Sequence, residues 1–129
     1  NIKIEGEDVV IIGKSNIVGL PLSLMLSNLD ATVTLCHIKT KNIKNITKNA
    51  DILIVCCGCP KLITKDHIKK GAIIIDVGIN VFYEENKKII VGDVDFDSVN
   101  DIAGGITPVP GGVGPMTICM LIKQLLQHN

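Results

Sequence analysis

"IIGKSNIVGLP", residues 11–21, decides how this chain reads. An apolar strand ends at Gly13, passes through Lys14 and Ser15, and reaches Gly19 and Pro21 where a helical pattern begins. A glycine at a strand tip permits a tight turn, and its missing Cβ lets an anion approach backbone N–H groups. The helix that follows adds the favourable end of its dipole. The standard dinucleotide spacing is G-x-G-x-x-G. Here it is G-K-S-N-I-V-G, with serine at the second glycine and one extra residue before the last. A bare strand–glycine–helix turn is structural as often as functional, so its surroundings decide.

Those surroundings alternate strand and helix. "EDVVII" (7–12), "ATVTLC" (31–36), "DILIVCC" (51–57) and "AIIIDVG" (72–78) read as strands. The first, third and fourth are nearly continuous apolar runs, the mark of strands covered on both faces. Between them, 19–29 carries Leu22, Met25, Leu26 and Leu29 at helical spacing, and 43–49 reads as a short helix. Residues 64–71 read as a turn or two capped by Thr64 and stopped by Gly71. Residues 82–90 read as a hairpin or surface loop, and 116–127 as a strongly apolar helix opened by Pro115. The expected fold is therefore an α/β, Rossmann-like doubly wound parallel sheet with helices on both faces, in one domain over 1–129.

Composition narrows the function. Thirteen basic and thirteen acidic residues cancel, which argues against nucleic acid or an anionic membrane as partner. No apolar run approaches a membrane span of about 18 residues. Five cysteines without framework spacing point to reduced thiols inside a cell, with a cytoplasmic location expected and an organelle left open. Cys36, Cys56, Cys57 and Cys119 lie in apolar runs and read as small buried hydrophobes. Neighbouring strand residues point to opposite faces, so "CCGC" (56–59) is a poor tetrahedral metal site and Cys36–His37 a poor catalytic pair. No metal is expected. His67 and His128 read as surface residues, and Asp76, Asp93 and Asp95 as residues that order turns.

The tip of the second strand, "CHIKT" (36–40), faces the adenosine ribose in a Rossmann unit. It has no acidic residue to hold a 2′-hydroxyl. Lys39 and Lys41, with Lys14, favour a 2′-phosphate, hence NADP, with NAD as second choice.

"VIIGKSNIVGLP" (10–21), "ATVTLCHIKT" (31–40), "ADILIVCCGCP" (50–60), "GAIIIDVGIN" (71–80), "VGDVDF" (91–96) and "ITPVPGGVGPMT" (106–117) occur in this order. Together they resemble the C-terminal nucleotide-binding domain of bifunctional methylenetetrahydrofolate dehydrogenase / methenyltetrahydrofolate cyclohydrolases. The resemblance implies that Gly13, Lys14 and Ser15 hold cofactor phosphates and that Gly58 lies under the sugar and diphosphate. It implies that Ile79 meets the nicotinamide end and that Thr117 caps the last helix near the cofactor. Pro110, Gly111, Gly112, Val113, Gly114 and Pro115 would form a rigid loop beside nicotinamide and folate. The family pattern has Arg where Lys14 stands and Ser where Ile38 stands. Its catalytic lysine and tyrosine and its pterin-gripping aspartate belong to an N-terminal domain not in this sequence. The resemblance thus implies no catalytic residue here, a folate substrate held with that other domain, a homodimeric full-length enzyme, and a fragment that binds nucleotide without turnover. A rival reading is a Rossmann-type regulatory or scaffold domain that has lost activity.

Overall fold

The computed structural model describes residues 2–127. Their order is β1 (Asp8–Ile12), α1 (Gly19–Ser27), β2 (Thr32–Cys36), α2 (Ile43–Thr47), β3 (Ile52–Val55) and, after a 3-10 turn at Lys65–His67, β4 (Ile73–Asp76). A hairpin of β5 (Asn80–Glu84) and β6 (Lys87–Val91) follows, then α3 (Phe96–Val99), β7 (Gly105–Ile106) and α4 (Val113–Gln127). Five strands form one sheet in the order β2-β1-β3-β4-β7, every pairing parallel. Val9 lies between Val33 and Ile52, and Ile12 between Cys36 and Val55.

The continuous apolar runs become strands because alternate side chains feed opposite faces. Val10, Ile12, Leu53, Val55 and Ile74 join one core cluster, with Ile43 and Ile46 of α2 and Val99 of α3 against it. Val9, Ile11, Ile52 and Ile54 join the other, covered by Leu22 and Leu26 of α1. The expected doubly covered parallel sheet is the observed one. Burying one such Leu or Ile side chain contributes about 1.5–3 kcal/mol, so the two clusters carry most of the stability.

The hairpin reading of 82–90 holds, while the segment at 64–71 and the start of the last helix differ from the sequence reading. Residues 82–90 fall in an antiparallel hairpin whose two-residue turn, Glu85 and Asn86, has φ of 47° and 65°. That geometry matches strand twist. The capped segment at 64–71 shrinks to the single 3-10 turn, where His67 Nδ1 accepts the Thr64 N–H at 3.2 Å. His67 is half-buried there, and His128 lies outside the described residues. The last helix begins at Val113, three residues before Met116, so Pro115 sits inside its first turn.

That helix, too apolar for so small a domain to cover, is left uncovered among the described residues. Met116, Ile118, Leu121, Ile122, Leu125 and Leu126 are all exposed, Leu126 to 71 %. Cys119, expected buried, is exposed with them. On α1, Met25 and Leu29 are exposed too, so only part of the expected apolar face meets the sheet. No described helix is long and apolar enough to cross a membrane.

Candidate nucleotide-binding site

From β1 the chain moves outward to β2, then returns to lay β3 on the other side of β1. Crossovers leaving to opposite sides open a crevice at the carboxyl ends of β1 and β3, the switch point where α/β sheets bind ligands. The motif loop lies there.

Gly13 donates its N–H to the Cys36 carbonyl at 2.9 Å and has a φ of +122°. A Cβ on it would stand 2.8 Å from the Cys56 carbonyl carbon and 2.9 Å from the Cys56 Sγ. A Cβ on Gly19 would stand 2.7 Å from the Gly13 carbonyl carbon. The fold itself therefore forbids side chains at both positions, because β1, β3 and α1 converge there. Ser15 organises the turn: its Oγ accepts the Val18 N–H at 3.1 Å and its carbonyl accepts the Leu20 N–H at 3.0 Å. The N–H groups of Lys14, Ser15, Asn16 and Ile17 have no protein acceptor among the described residues. Four backbone donors thus gather where a helix begins, an arrangement suited to an anion.

Gly13, Lys14 and Ser15 line a cleft of about 470 Å³ with His37, Ile38 and Thr40 of the β2 tip, and with Cys56, Cys57 and Cys59 after β3. Its walls are mostly apolar. The β2 tip is a tight turn: Thr40 N–H bonds the His37 carbonyl, and His37 N–H bonds Thr40 Oγ1, each at 2.8 Å. Lys39 stands in that turn, exposed, at the rim rather than in the wall. Ile38 is 91 % exposed. A second cavity, about 220 Å³, lies over the ends of β4 and β7. Ile79 lines it with Pro110, Gly111, Gly112, Val113, Gly114 and Pro115, so the expected loop forms one wall. The Val109–Pro110 peptide in this loop is cis.

Two residues stand apart from these walls. Gly58 follows the β3 tip and lines neither cavity. Thr117 does not cap α4, because the helix starts earlier. It lies in the second turn, its Oγ donates to the Val113 carbonyl at 3.0 Å, and it faces an apolar groove between α1 and α4.

Two buried carboxylates tie the site together. Asp76, at the end of β4, accepts N–H bonds from Gly78, Asp93 and Val94, each at 3.0 Å. Its own N–H donates to Thr107 Oγ1 at 2.8 Å, fixing the start of the proline-rich loop. Burial pushes the Asp76 carboxyl above its ordinary value, against the pull of those N–H groups. Asp93 is fully buried. Its Oδ2 accepts the Cys57 and Gly58 N–H groups, both at 2.8 Å, and its Oδ1 accepts Asn80 Nδ2 at 2.9 Å. The sequence reading assigned these aspartates to ordering turns. It had no signal for what they join, since their partners lie up to 36 residues away. Asp95 instead pairs with Lys61 at 3.7 Å.

Three of the thiols, Cys36, Cys56 and Cys57, are poor nucleophiles. Burial raises Cys36 and Cys56, and raises Cys57 to about 12. Cys56 donates its S–H to the Gly13 carbonyl at 3.6 Å, which makes it part of the loop's support.

Sheet order, glycine turn and paired cavities place this chain among Rossmann-type dinucleotide-binding domains. Residues 1–129 match the family described as tetrahydrofolate dehydrogenase/cyclohydrolase, NAD(P)-binding domain, and the chain belongs to that family. It is 56 % identical over 126 residues to the bifunctional protein FolD of Caldicellulosiruptor saccharolyticus, covering 98 % of this chain and 44 % of that protein. It is 58 % identical over 127 residues to the FolD of Bacillus cytotoxicus, covering 98 % and 43 %. The crystal structure of FolD methylenetetrahydrofolate dehydrogenase/cyclohydrolase from Campylobacter jejuni superposes with a TM-score of 0.88 at 55 % identity, covering 94 % of this chain and 42 % of that one. The Trypanosoma brucei enzyme, solved with NADP cofactor and inhibitor, gives 0.91 at 43 % identity, covering 97 % and 44 %. The chain thus spans under half the length of the relatives it matches.

Proposed function

We propose that this chain is the NADP-binding part of a methylenetetrahydrofolate dehydrogenase / methenyltetrahydrofolate cyclohydrolase. The observation that carries the reading is the run of four backbone N–H groups at residues 14–17 without an acceptor among the described residues, set at the switch point between β1 and β3. A diphosphate fits that run, because it is anionic, small in cross-section and satisfied by backbone donors. The Trypanosoma relative that carries NADP supports the same choice.

In this reading Lys14 and Ser15 hold the diphosphate, and the apolar cleft of about 470 Å³ takes the adenosine. Lys39 at the rim supplies positive charge for a 2′-phosphate, and no acidic residue in the β2 tip opposes it. NAD is the second choice. Ile79 and the proline-rich loop wall the cavity for the nicotinamide end. NADP⁺ held by these residues would supply a hydride acceptor for the methylene carbon of 5,10-methylenetetrahydrofolate. This chain's contribution is placement, since hydride transfer depends chiefly on holding two reactants face to face.

The cyclohydrolase step adds water to the methenyl product and needs a side chain that handles a proton. Asp76 touches the 220 Å³ cavity, but its two oxygens already accept three N–H groups. The proton-handling and folate-gripping groups are therefore assigned to residues outside this stretch. The full-length protein is proposed as a soluble cytoplasmic homodimer, and the 129-residue chain as a nucleotide binder without turnover. The exposed apolar side of α4 fits a surface that other residues of the full-length protein cover.

Calorimetry of this chain with NADP⁺ and NAD⁺ tests the cofactor assignment. Saturable heat with NADP⁺, weaker with NAD⁺, is expected. Absence of saturable heat with both would refute the assignment and favour a scaffold domain.

A further inference from the structure

The two cavities belong to different strand tips, and one buried side chain bonds to groups beside each. Asp93 takes the Cys57 and Gly58 N–H groups on Oδ2, at the edge of the 470 Å³ cleft that Cys57 lines. On Oδ1 it takes Asn80 Nδ2 at 2.9 Å, next to Ile79, which lines the 220 Å³ cavity. Asp93 itself is held rigidly. Its N–H donates to Asp76 Oδ1 at 3.0 Å, and its carbonyl accepts the Ile63 N–H at 3.1 Å. A Cβ on Gly78 would stand 2.7 Å from the Asp93 nitrogen, so backbone closes directly over it.

We infer that Asp93, acting through Asn80, is a positioning residue that fixes the spacing between the two cavities and favours a ligand filling both at once. The inference rests on the nucleotide reading above and deepens it. A ligand that fills one cavity is indifferent to the distance between them. A dinucleotide gains from having that distance set before it binds, because ordering two loops on binding costs affinity. An acceptor with two oxygens suits the task, since each oxygen serves one end of the groove.

The test compares NADP⁺ with adenosine 2′,5′-bisphosphate, which can occupy only the adenosine side. Calorimetry is run on the wild-type chain, Asn80→Ala, Asp93→Asn, and the exchange Asn80→Asp with Asp93→Asn. Asn80→Ala removes the link to the second cavity, together with the 3.4 Å bond from Asn80 Nδ2 to the Val91 carbonyl. It is expected to weaken NADP⁺ about tenfold, the scale of one hydrogen bond to a charged group, while the bisphosphate changes less than about twofold. The exchange restores a carboxylate–amide pair with the roles reversed, and is expected to bring NADP⁺ back to within about threefold of wild type.

Equal losses for both ligands in Asn80→Ala would mean a merely structural role and overturn the inference, as would no loss for either. An exchange variant that melts like wild type yet stays as weak as Asp93→Asn also overturns it. If Asp93→Asn fails to fold, the Asn80→Ala comparison decides by itself. A wild-type chain that binds neither ligand removes the nucleotide reading and this inference together. A wild-type chain that binds both, with equal losses in Asn80→Ala, removes this inference alone.

Discussion

The first loop of the site, between β1 and α1, and the last, which runs from β7 into α4, are both rich in glycine, but one glycine of the last, Gly114, is there for a different reason from Gly13 and Gly19. At Gly13 and Gly19 a side chain would strike backbone of this chain. At Gly114, in the first turn of α4, a Cβ would meet nothing within 4 Å, and φ there is not in the left-handed region. The fold demands the first pair and is indifferent to the third. A glycine that the chain does not need for itself, on the wall of a cavity, points to what enters that cavity. In the last loop the chain also needs Gly111, with its φ of +102°, and Gly112, whose Cβ would stand 3.0 Å from Thr107 Cβ, so Gly114 alone is left for something else to approach.

Gly13→Val tests the first half of this contrast and carries the largest expected effect. The branched side chain has to displace the Cys56 carbonyl at the β3 tip and adopt a φ of +122°. The expected cost is about 3 kcal/mol or more, enough to abolish a cooperative unfolding transition in a domain of marginal stability. The sequence motif alone suggests a variant that folds but rejects phosphate; the geometry predicts one that unfolds. A native-like denaturation midpoint with lost nucleotide binding would show that the motif reading had been the better one.

Asp76 holds the base of the last loop through its own N–H to Thr107, and its carboxylate takes the Gly78 N–H before β5 and the Asp93 and Val94 N–H groups after β6. Asp76→Asn keeps the size but leaves one acceptor oxygen where there were two, and is expected to cost about 1–3 kcal/mol in urea unfolding. Its pH dependence has a definite sign. Burial raises the folded carboxyl above its unfolded value. The folded state therefore binds more protons than the unfolded one between those two values. The resulting stability is full below about pH 4 and is lost as pH rises through the folded value. The wild-type advantage over Asp76→Asn should shrink over that interval. An advantage that grows with pH would mean the three N–H groups outweigh burial.

These two residues also mark what was legible in the chain. The parallel sheet could be read because Val9, Val10, Ile11 and Ile12, and again Ile52, Leu53, Ile54 and Val55, write burial on both faces into contiguous sequence. The first loop could be placed because a strand, a glycine and a helix follow one another directly. The cooperation of Asp76 with Asp93 could not, since a buried aspartate and a turn-capping one look alike until the fold brings Cys57 and Asn80 to the same carboxylate. The early start of α4 was hidden by Gly112 and Gly114, which read as loop, and by Pro115, which reads as a helix boundary. The exposure of α4 was legible in part, because a terminal helix whose apolar face Met116, Cys119 and Met120 widen wants more cover than a small domain gives.

Gly114→Ala breaks the contrast from the other side. Alanine is the better helix former, so the first turn of α4 should gain about 0.5–1 kcal/mol, read as a higher melting temperature. The added methyl projects where Gly114 lines the 220 Å³ cavity, and NADP⁺ affinity is expected to fall about fivefold to tenfold. A variant both more stable and weaker in binding confirms that this glycine serves the ligand. A stabilised variant with unchanged affinity would place the approaching group elsewhere and leave the two loops less different than they look.

Lys39→Ala has the smallest expected effect and sharpens the first loop's side of the comparison. Lys39 is exposed at the rim of the cleft, held by the turn that His37 and Thr40 close. A solvent-screened lysine facing a phosphate contributes about 1 kcal/mol or less, so NADP⁺ should weaken by up to about fivefold. NAD⁺ lacks the 2′-phosphate and should hardly change. The difference should fade at high salt, because a rim charge is screened while the backbone donors of the loop are not. Equal loss for both nucleotides would move Lys39 to the diphosphate, and the four N–H groups at residues 14–17 would then share a role here assigned to them and Lys14.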